Sequence, residues 1–168
     1  ETTTQLRNDP SRPLTYIVFW LCWQAKADSP YLFHVVSTTL HASLAALLAL
    51  ITAELMLQIF GFYSLTAGLI TALLFLSSPL IAGTVVYAYG LSDVLSAFLI
   101  VLAYFALIRP SPESRLKRLL LFGFASICFL LALAAKQSSV VLAPLIIATD
   151  ILTRRKDLGR RAREIYAP

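Results

Sequence analysis

The chain has 168 residues, of which 58% are hydrophobic and only 14% carry a charge, and its mean hydropathy is +0.77. About a quarter of the residues of a soluble globular domain are charged, so the composition excludes that class and indicates an integral membrane protein. The formal net charge of +5 comes from 14 Lys and Arg against nine Asp and Glu. We expect this basic excess to flank membrane spans, and we expect no nucleic-acid partner.

Two long uncharged runs of the sequence predict membrane-spanning segments. About 25 residues separate Asp28 from Glu54 and about 38 separate Glu54 from Asp93, whereas one helical span needs roughly 20. The runs are continuously rich in Leu, Ala, Ile and Val and lack the alternation typical of a transmembrane β-strand. Because helices then satisfy the backbone in lipid, the predicted fold class is all-α, a polytopic helical membrane protein.

The first 29 residues are predicted to lie outside the hydrocarbon region. Residues 1–13 are polar and contain two prolines, so we predict an arm exposed to water. Residues 14–29 are predicted to form an interfacial helix and a loop, because the stretch LTYIVFWLCWQ is short and rich in amphipathic aromatics. The alternative is that this helix begins a tilted first span.

The transmembrane domain is predicted over residues 30–153, with about five spans, and a basic tail over 154–168. The first span starts near Tyr31 and ends before Gly61, and a short span over 65–77 is followed by a partial or re-entrant helix over 80–89. Ser92 is expected to cap the next helix, with Asp93 in its first turn. The remaining spans are predicted over 119–134 and 138–152.

Charge distribution predicts the orientation of these spans. Ten of the 14 basic residues lie in the loop 109–118 and in the tail, and such clusters remain in the cytoplasm. With five spans both regions fall on one side, so we predict an amino terminus outside and a carboxyl terminus in the cytoplasm. The first residue is Glu1 rather than Met, so we expect a sequence that is processed, truncated or partly assigned.

The polar residues of the apolar segments are the candidate functional residues. His34 and His41 share one face of the first span, where helix packing through hydrogen bonds is the alternative to a pocket, and two histidines alone predict no metal site. Asp93 and Lys136 are lone charges at their predicted turns. Either they form a structural pair, or Lys136 and a histidine receive an anionic phosphate while Asp93 orients them.

Several stretches resemble one family in the same order along the chain. They are RPLTY at 12–16, FHVVSTTLHASLAALL at 33–48, VVYAYGLSDVLSAFLIVLAYFAL at 85–107 and AKQSSVVLAPLIIATDIL at 135–152. They resemble the membrane core of O-mannosyltransferase-like and transmembrane and TPR repeat-containing proteins, which are GT-C glycosyltransferases that use polyprenyl-phosphate sugars. The resemblance implies a GT-C-like architecture whose pocket, which receives the donor phosphate, contains Arg12, His34, His41, Asp93, Lys136 and Gln137.

The chain also departs from this family pattern. Leu91 stands where the family commonly has an arginine, and Gln137 stands where it commonly has a glutamate. The acidic pair that the family uses for catalysis has no counterpart in the given sequence, so the catalytic residues are unknown. If the protein is an enzyme, the resemblance implies a polyprenyl-phosphate sugar as donor and allows a divalent metal as cofactor.

Three classes of function follow from these observations. The first is transfer of a sugar from a polyprenyl-phosphate donor to an acceptor hydroxyl on the outer face of a bacterial inner membrane. The second is a non-catalytic, relict accessory subunit that packs within a larger membrane protein complex. The third, a transporter or channel, rests on the interrupted segment 65–89. Expected partners are the lipid bilayer, a polyprenyl lipid and other membrane subunits.

Overall fold

The computed structural model describes residues 12–25, 30–78, 83, 90–108, 114–149 and 151, and all regular elements within them are helical. We number these elements in chain order. They are α1 Pro13–Ala25, α2 Tyr31–Phe60, α3 Leu65–Ser77, α4 Leu91–Ile108, α5 Arg115–Ala135 and α6 Gln137–Thr149, of which Gln137–Val141 is a 3-10 turn. The predicted all-helical class is therefore confirmed over the described residues.

Three of these helices are long and apolar enough to cross a membrane. They are α2, with 30 residues, α4, with 18, and α5, with 21. The helices α3 and α6 are also apolar but shorter, and the 13 residues of α3 reach only about 20 Å at 1.5 Å per residue, against a hydrocarbon core of about 30 Å. The structure confirms a helical membrane protein, whereas the count of five spans stays a prediction.

The three long helices form the centre of the fold. Gln58 near the end of α2 donates from Nε2 to the carbonyl oxygen of Ile108 at the end of α4 (2.6 Å), so these two helices run in the same direction. The helix α5 returns in the opposite direction and packs along α4. The bundle therefore has an Asp93 end, where α4 begins and α5 ends, and an Arg115 end, where α5 begins.

Small side chains make the close packing of these helices possible. Ala103 of α4 and Ala132 of α5 are completely buried. Cys128, one helical turn before Ala132 on the same face of α5, is also buried. Small residues let membrane helices approach closely, which maximises van der Waals contact.

Cys22 of α1 is also buried, and burial raises the pKa of its thiol. Both cysteines are free thiols and are buried among apolar side chains, where they act as packing residues.

The contact between α2 and α3 is closer still. A β-carbon added at Gly68 of α3 would overlap the carbonyl oxygen of Ala49 and lie 3.1 Å from its carbonyl carbon. Thr52 of α2 also donates to the hydroxyl of Thr71 (3.3 Å). The short helix α3 is thus held against α2 by backbone proximity and by a hydrogen bond between side chains.

Several helix boundaries differ from their predicted positions. Pro13 is the first residue of α1 and not part of the arm, because proline is well suited to a first helical turn. The helix α4 begins at Leu91, so Ser92 lies inside its first turn and is not a cap. The helix α5 begins four residues earlier than predicted, at Arg115.

Other boundaries agree with the sequence. Gly61 ends α2 in the left-handed conformation (φ 81°), which glycine adopts at little cost, and α3 has its predicted limits. Asp93 lies in the first turn of α4 as expected. The predictions for residues 1–11, for the tail 154–168 and, apart from Gly83, for the partial helix 80–89 lie outside the described residues.

Candidate functional site

Polar side chains from three elements meet at the Asp93 end of the bundle. Lys136, which follows α5, forms an ion pair from its Nζ to Oδ1 of Asp93. Arg12, which precedes α1, donates from Nη1 to the hydroxyl of Ser92 (3.3 Å). Because Ser92 and Asp93 are consecutive, the four residues form one group, which we call the polar cluster.

The positions of these four residues follow from the helices that carry them. The helices α4 and α5 are antiparallel, so the first turn of α4, with Ser92 and Asp93, lies beside the last turn of α5. Lys136 has an extended backbone (φ −158°, ψ 131°) that ends α5, and its N–H still donates to the carbonyl oxygen of Ala132. Lys136 is thereby held at the level of the first turn of α4.

Two buried hydroxyl groups donate hydrogen bonds to carbonyl oxygens in the last turn of α5. The last four carbonyl groups of a helix have no partner within it. Thr15 of α1 donates to the carbonyl oxygen of Ala135 (3.1 Å), and Ser139 of α6 donates to that of Ala132 (2.9 Å). These bonds attach α1 and α6 to α5. Thr15 was not among the residues predicted from the sequence, although a hydroxyl within an apolar helix is a signal for such a bond.

The two side chains that form the ion pair of the polar cluster are partly exposed. The side chains of Lys136 and Asp93 are 31% and 41% exposed, whereas Ser92 is almost completely buried. The formal charges of Arg12, Lys136 and Asp93 sum to +1. The amino-terminal end of α4 adds a partial positive charge at the same place, so the electrostatics of the cluster favour an anion.

The predicted histidines have different surroundings. The buried ring of His41 packs against Phe75 of α3, with 4.7 Å between the ring centroids. Within the described part of the chain, its Nδ1 has no hydrogen-bond partner, and neither has Oγ of Ser37, one helical turn away. His34 is exposed near the start of α2, and Gln137 is exposed beside Lys136. That these residues share one pocket with the cluster stays a prediction.

The described residues do not fit a metal ion. No group of three or more His, Cys, Asp or Glu side chains within the described ranges is placed to hold one. The only carboxylate at the polar cluster among those residues is Asp93, and it is already paired with Lys136.

No family model, curated protein or solved structure matches this chain. The GT-C resemblance therefore rests on the sequence stretches given above. Three of the six residues that it implicates, Arg12, Asp93 and Lys136, belong to the polar cluster. Gln137 is adjacent to the cluster in the chain, and the two histidines lie on α2.

Proposed function

We propose that this protein is a membrane module that binds the phosphate of a polyprenyl-phosphate sugar at the polar cluster. As a GT-C-like glycosyltransferase it transfers the sugar to an acceptor hydroxyl on the outer face of the membrane. The observation that carries this proposal is that Arg12 and Lys136, two cations distant in sequence, contact consecutive residues, Ser92 and Asp93, at one end of an apolar helical bundle.

The cluster has the chemistry that phosphate departure requires. When the bond between the sugar and the phosphate breaks, negative charge develops on the leaving phosphate, and nearby cations stabilise it. Arg12 can donate two parallel hydrogen bonds to phosphate oxygens, and Lys136 supplies a compact charge. A lipid phosphate at this level leaves its polyprenyl chain in the bilayer beside the helices.

Deprotonation of the acceptor hydroxyl needs a base close to its proton. The described ranges contain two acidic residues, Glu54 and Asp93. Glu54 accepts from Gln58, which also contacts Ile108 at the opposite end of the bundle. Asp93 orients Lys136, and we assign it no role as a base.

A binding measurement tests the phosphate site. The purified protein in nanodiscs is titrated with a polyprenyl phosphate, and the polyprenol without phosphate serves as the reference ligand. Arg12→Gln and Lys136→Gln are each expected to weaken phosphate binding about tenfold, because a hydrogen bond to a charged group contributes about 1.5–3 kcal/mol. Lys117→Gln, at the other end of α5, is the matched control and is expected to bind as the unmodified protein does.

Two results would reject the phosphate site. One is equal affinity for the polyprenyl phosphate and the polyprenol. The other is an unchanged affinity in both cluster variants at a helical content equal to that of the control. The transferase reaction has its own test, which is the movement of labelled sugar from a polyprenyl-phosphate donor to an acceptor. Binding without transfer would retain the site and reject the enzyme.

A non-catalytic accessory subunit is the second candidate function. The observation that favours it is the ion pair itself, because Asp93 already neutralises Lys136 and Gln137 brings no charge. A relict site of this kind would contribute only to packing. Native mass spectrometry of the protein purified from its own membranes distinguishes the two: stoichiometric subunits that remain bound, together with no phosphate binding, would favour the accessory role.

A further inference from the structure

An apolar groove lies beside the middle of α5, on one side of the bundle. Its volume is about 570 Å³, within the roughly 300–1,000 Å³ typical of sites for small molecules. The helix α5 contributes one wall, with Phe122, Ser126 and Phe129. The opposite side is formed by α6, and Leu107 closes the groove from α4.

Two arginines lie on the face of α5 that lines the groove, on the amino-terminal side of the apolar lining residues. Steps of three or four residues keep side chains on one face of a helix. Arg115, Arg118, Phe122, Ser126 and Phe129 follow such steps along α5, so both arginines lie above the groove on the same face. Both are exposed. Lys117 is also exposed but is rotated by about 100° from Arg118.

The length of this face matches one leaflet of a bilayer. From Arg118 to Phe129 the helix advances 11 residues, which is about 16 Å at 1.5 Å per residue. Half of a typical hydrocarbon core is about 15 Å. With the arginines at the level of the headgroups, the apolar part of the groove therefore extends to about the centre of the membrane.

We propose that this groove binds an anionic phospholipid, with one acyl chain between α5 and α6 and the phosphate at Arg115 and Arg118. Apolar side chains match the acyl chain, and the two cations match the charge of the headgroup. Basic pockets between transmembrane helices are known to select anionic headgroups. Arg115 and Arg118 lie at the opposite end of α5 from Lys136, so the proposal does not depend on the phosphate site at the polar cluster.

Lipid selectivity is the first test of the proposal. The detergent-solubilised protein is titrated with phosphatidylglycerol and with phosphatidylcholine of the same acyl chains, and bound lipid is counted by native mass spectrometry. Phosphatidylglycerol is expected to bind at least tenfold more tightly. Arg118→Gln should weaken this binding about fivefold, the effect of one basic residue near a headgroup. Lys117→Gln removes the same charge from the neighbouring face and should change binding less than twofold.

Occupation of the groove is tested by filling it. Ser126→Phe places a ring in the groove, whereas Ile127→Phe places the same ring at an exposed position next to it. The first variant is expected to lose the selective lipid and the second to retain it, with equal thermal stability of both proteins without lipid. Equal binding of the two lipids, or equal effects of Arg118→Gln and Lys117→Gln, would overturn the proposal. A dimer that dissociates on Ser126→Phe would show that a second copy of the chain occupies the groove.

Discussion

At the scale of single residues, Asp93 raises the question of why a carboxylate stands between two apolar runs. An unpaired charge within lipid is expensive, and a charge at a helix end beside a cation is tolerated. The structure places Asp93 in the first turn of α4, partly exposed and paired with Lys136. Its carboxylate thus has both a favourable helix end and a counterion.

Replacement of Asp93 tests whether its ion pair with Lys136 serves stability or function. Exposed ion pairs contribute about 0–1 kcal/mol, so we expect Asp93→Asn to lower the free energy of unfolding by less than about 1 kcal/mol. Because the carboxylate no longer competes for Lys136, binding of a polyprenyl phosphate is expected to stay equal or become tighter. Sugar transfer is expected to fall, since Lys136 loses the group that orients it.

The measurements are denaturation in detergent, nanodisc titration and the transfer assay, all on the same preparation. Ser126→Ala, a change far from the cluster, serves as the reference for general effects of substitution. A loss of more than about 3 kcal/mol would indicate a desolvated, buried pair. Weaker phosphate binding in Asp93→Asn would contradict the competition that we infer between the carboxylate and the ligand.

At the scale of elements, three short helices depend on their neighbours. The helix α1 is attached to α5 through the bond from Thr15 to the carbonyl oxygen of Ala135, and α6 is attached through Ser139. The helix α3 depends on its contact with α2, where the backbone at Gly68 lies directly against Ala49. Packing and hydrogen bonds therefore hold in place segments that are too short to cross the membrane alone.

The contact at Gly68 predicts a clear difference between two glycines. Gly68→Ala forces a methyl group into the backbone of Ala49, and overpacking of this kind costs about 1–3 kcal/mol. Gly123 of α5 is the matched control, because a β-carbon there would meet nothing within 4 Å. Gly123→Ala is expected to leave stability unchanged or raise it by up to about 1 kcal/mol, since alanine favours the helix.

Unfolding of both variants in mixed detergent micelles, followed by circular dichroism, measures this difference. The comparison is meaningful because both changes add one methyl group to a helical glycine in an apolar segment. Equal stabilities of the two variants would show that α3 does not pack against α2 at this distance. A stable Gly68→Ala protein would likewise contradict the close approach.

At the scale of the whole molecule, the described helices define two opposite ends but no direction across the membrane. The ends are about 30 Å apart along the 21 residues of α5, the thickness of a hydrocarbon core. Arg115, Lys117 and Arg118 lie at one end and the polar cluster at the other. The excess of basic residues leads us to propose that the Arg115 end faces the cytoplasm.

Cysteine labelling tests this orientation. The native thiols of Cys22 and Cys128 are buried, so they should react slowly with a reagent that does not cross membranes. Gln137→Cys and Lys117→Cys each introduce one exposed thiol at opposite ends of α5. In intact cells we expect rapid labelling at position 137, whereas position 117 should react only after the membrane is opened. The reverse pattern would contradict the proposed orientation.

Much of the helical structure was predictable because its causes are local. A run without charges longer than about 20 residues has few alternatives to a membrane helix, and Gly61 determines the conformation at the end of its own helix. Boundaries at 91 and 115 were less predictable, because a first turn can begin with apolar or basic residues when neighbouring helices support it. The number of spans was likewise ambiguous for the short apolar segments.

The sequence by itself determined that this is a helical membrane protein with polar residues near the ends of its apolar segments. Hydropathy determines this property, which depends on the residues of each segment alone. Only the tertiary structure decided which polar residues meet: 80 positions separate Arg12 from Ser92, and 43 separate Asp93 from Lys136. Such contacts depend on helix direction and rotation, and these are set by packing at small residues such as Gly68 and Ala103.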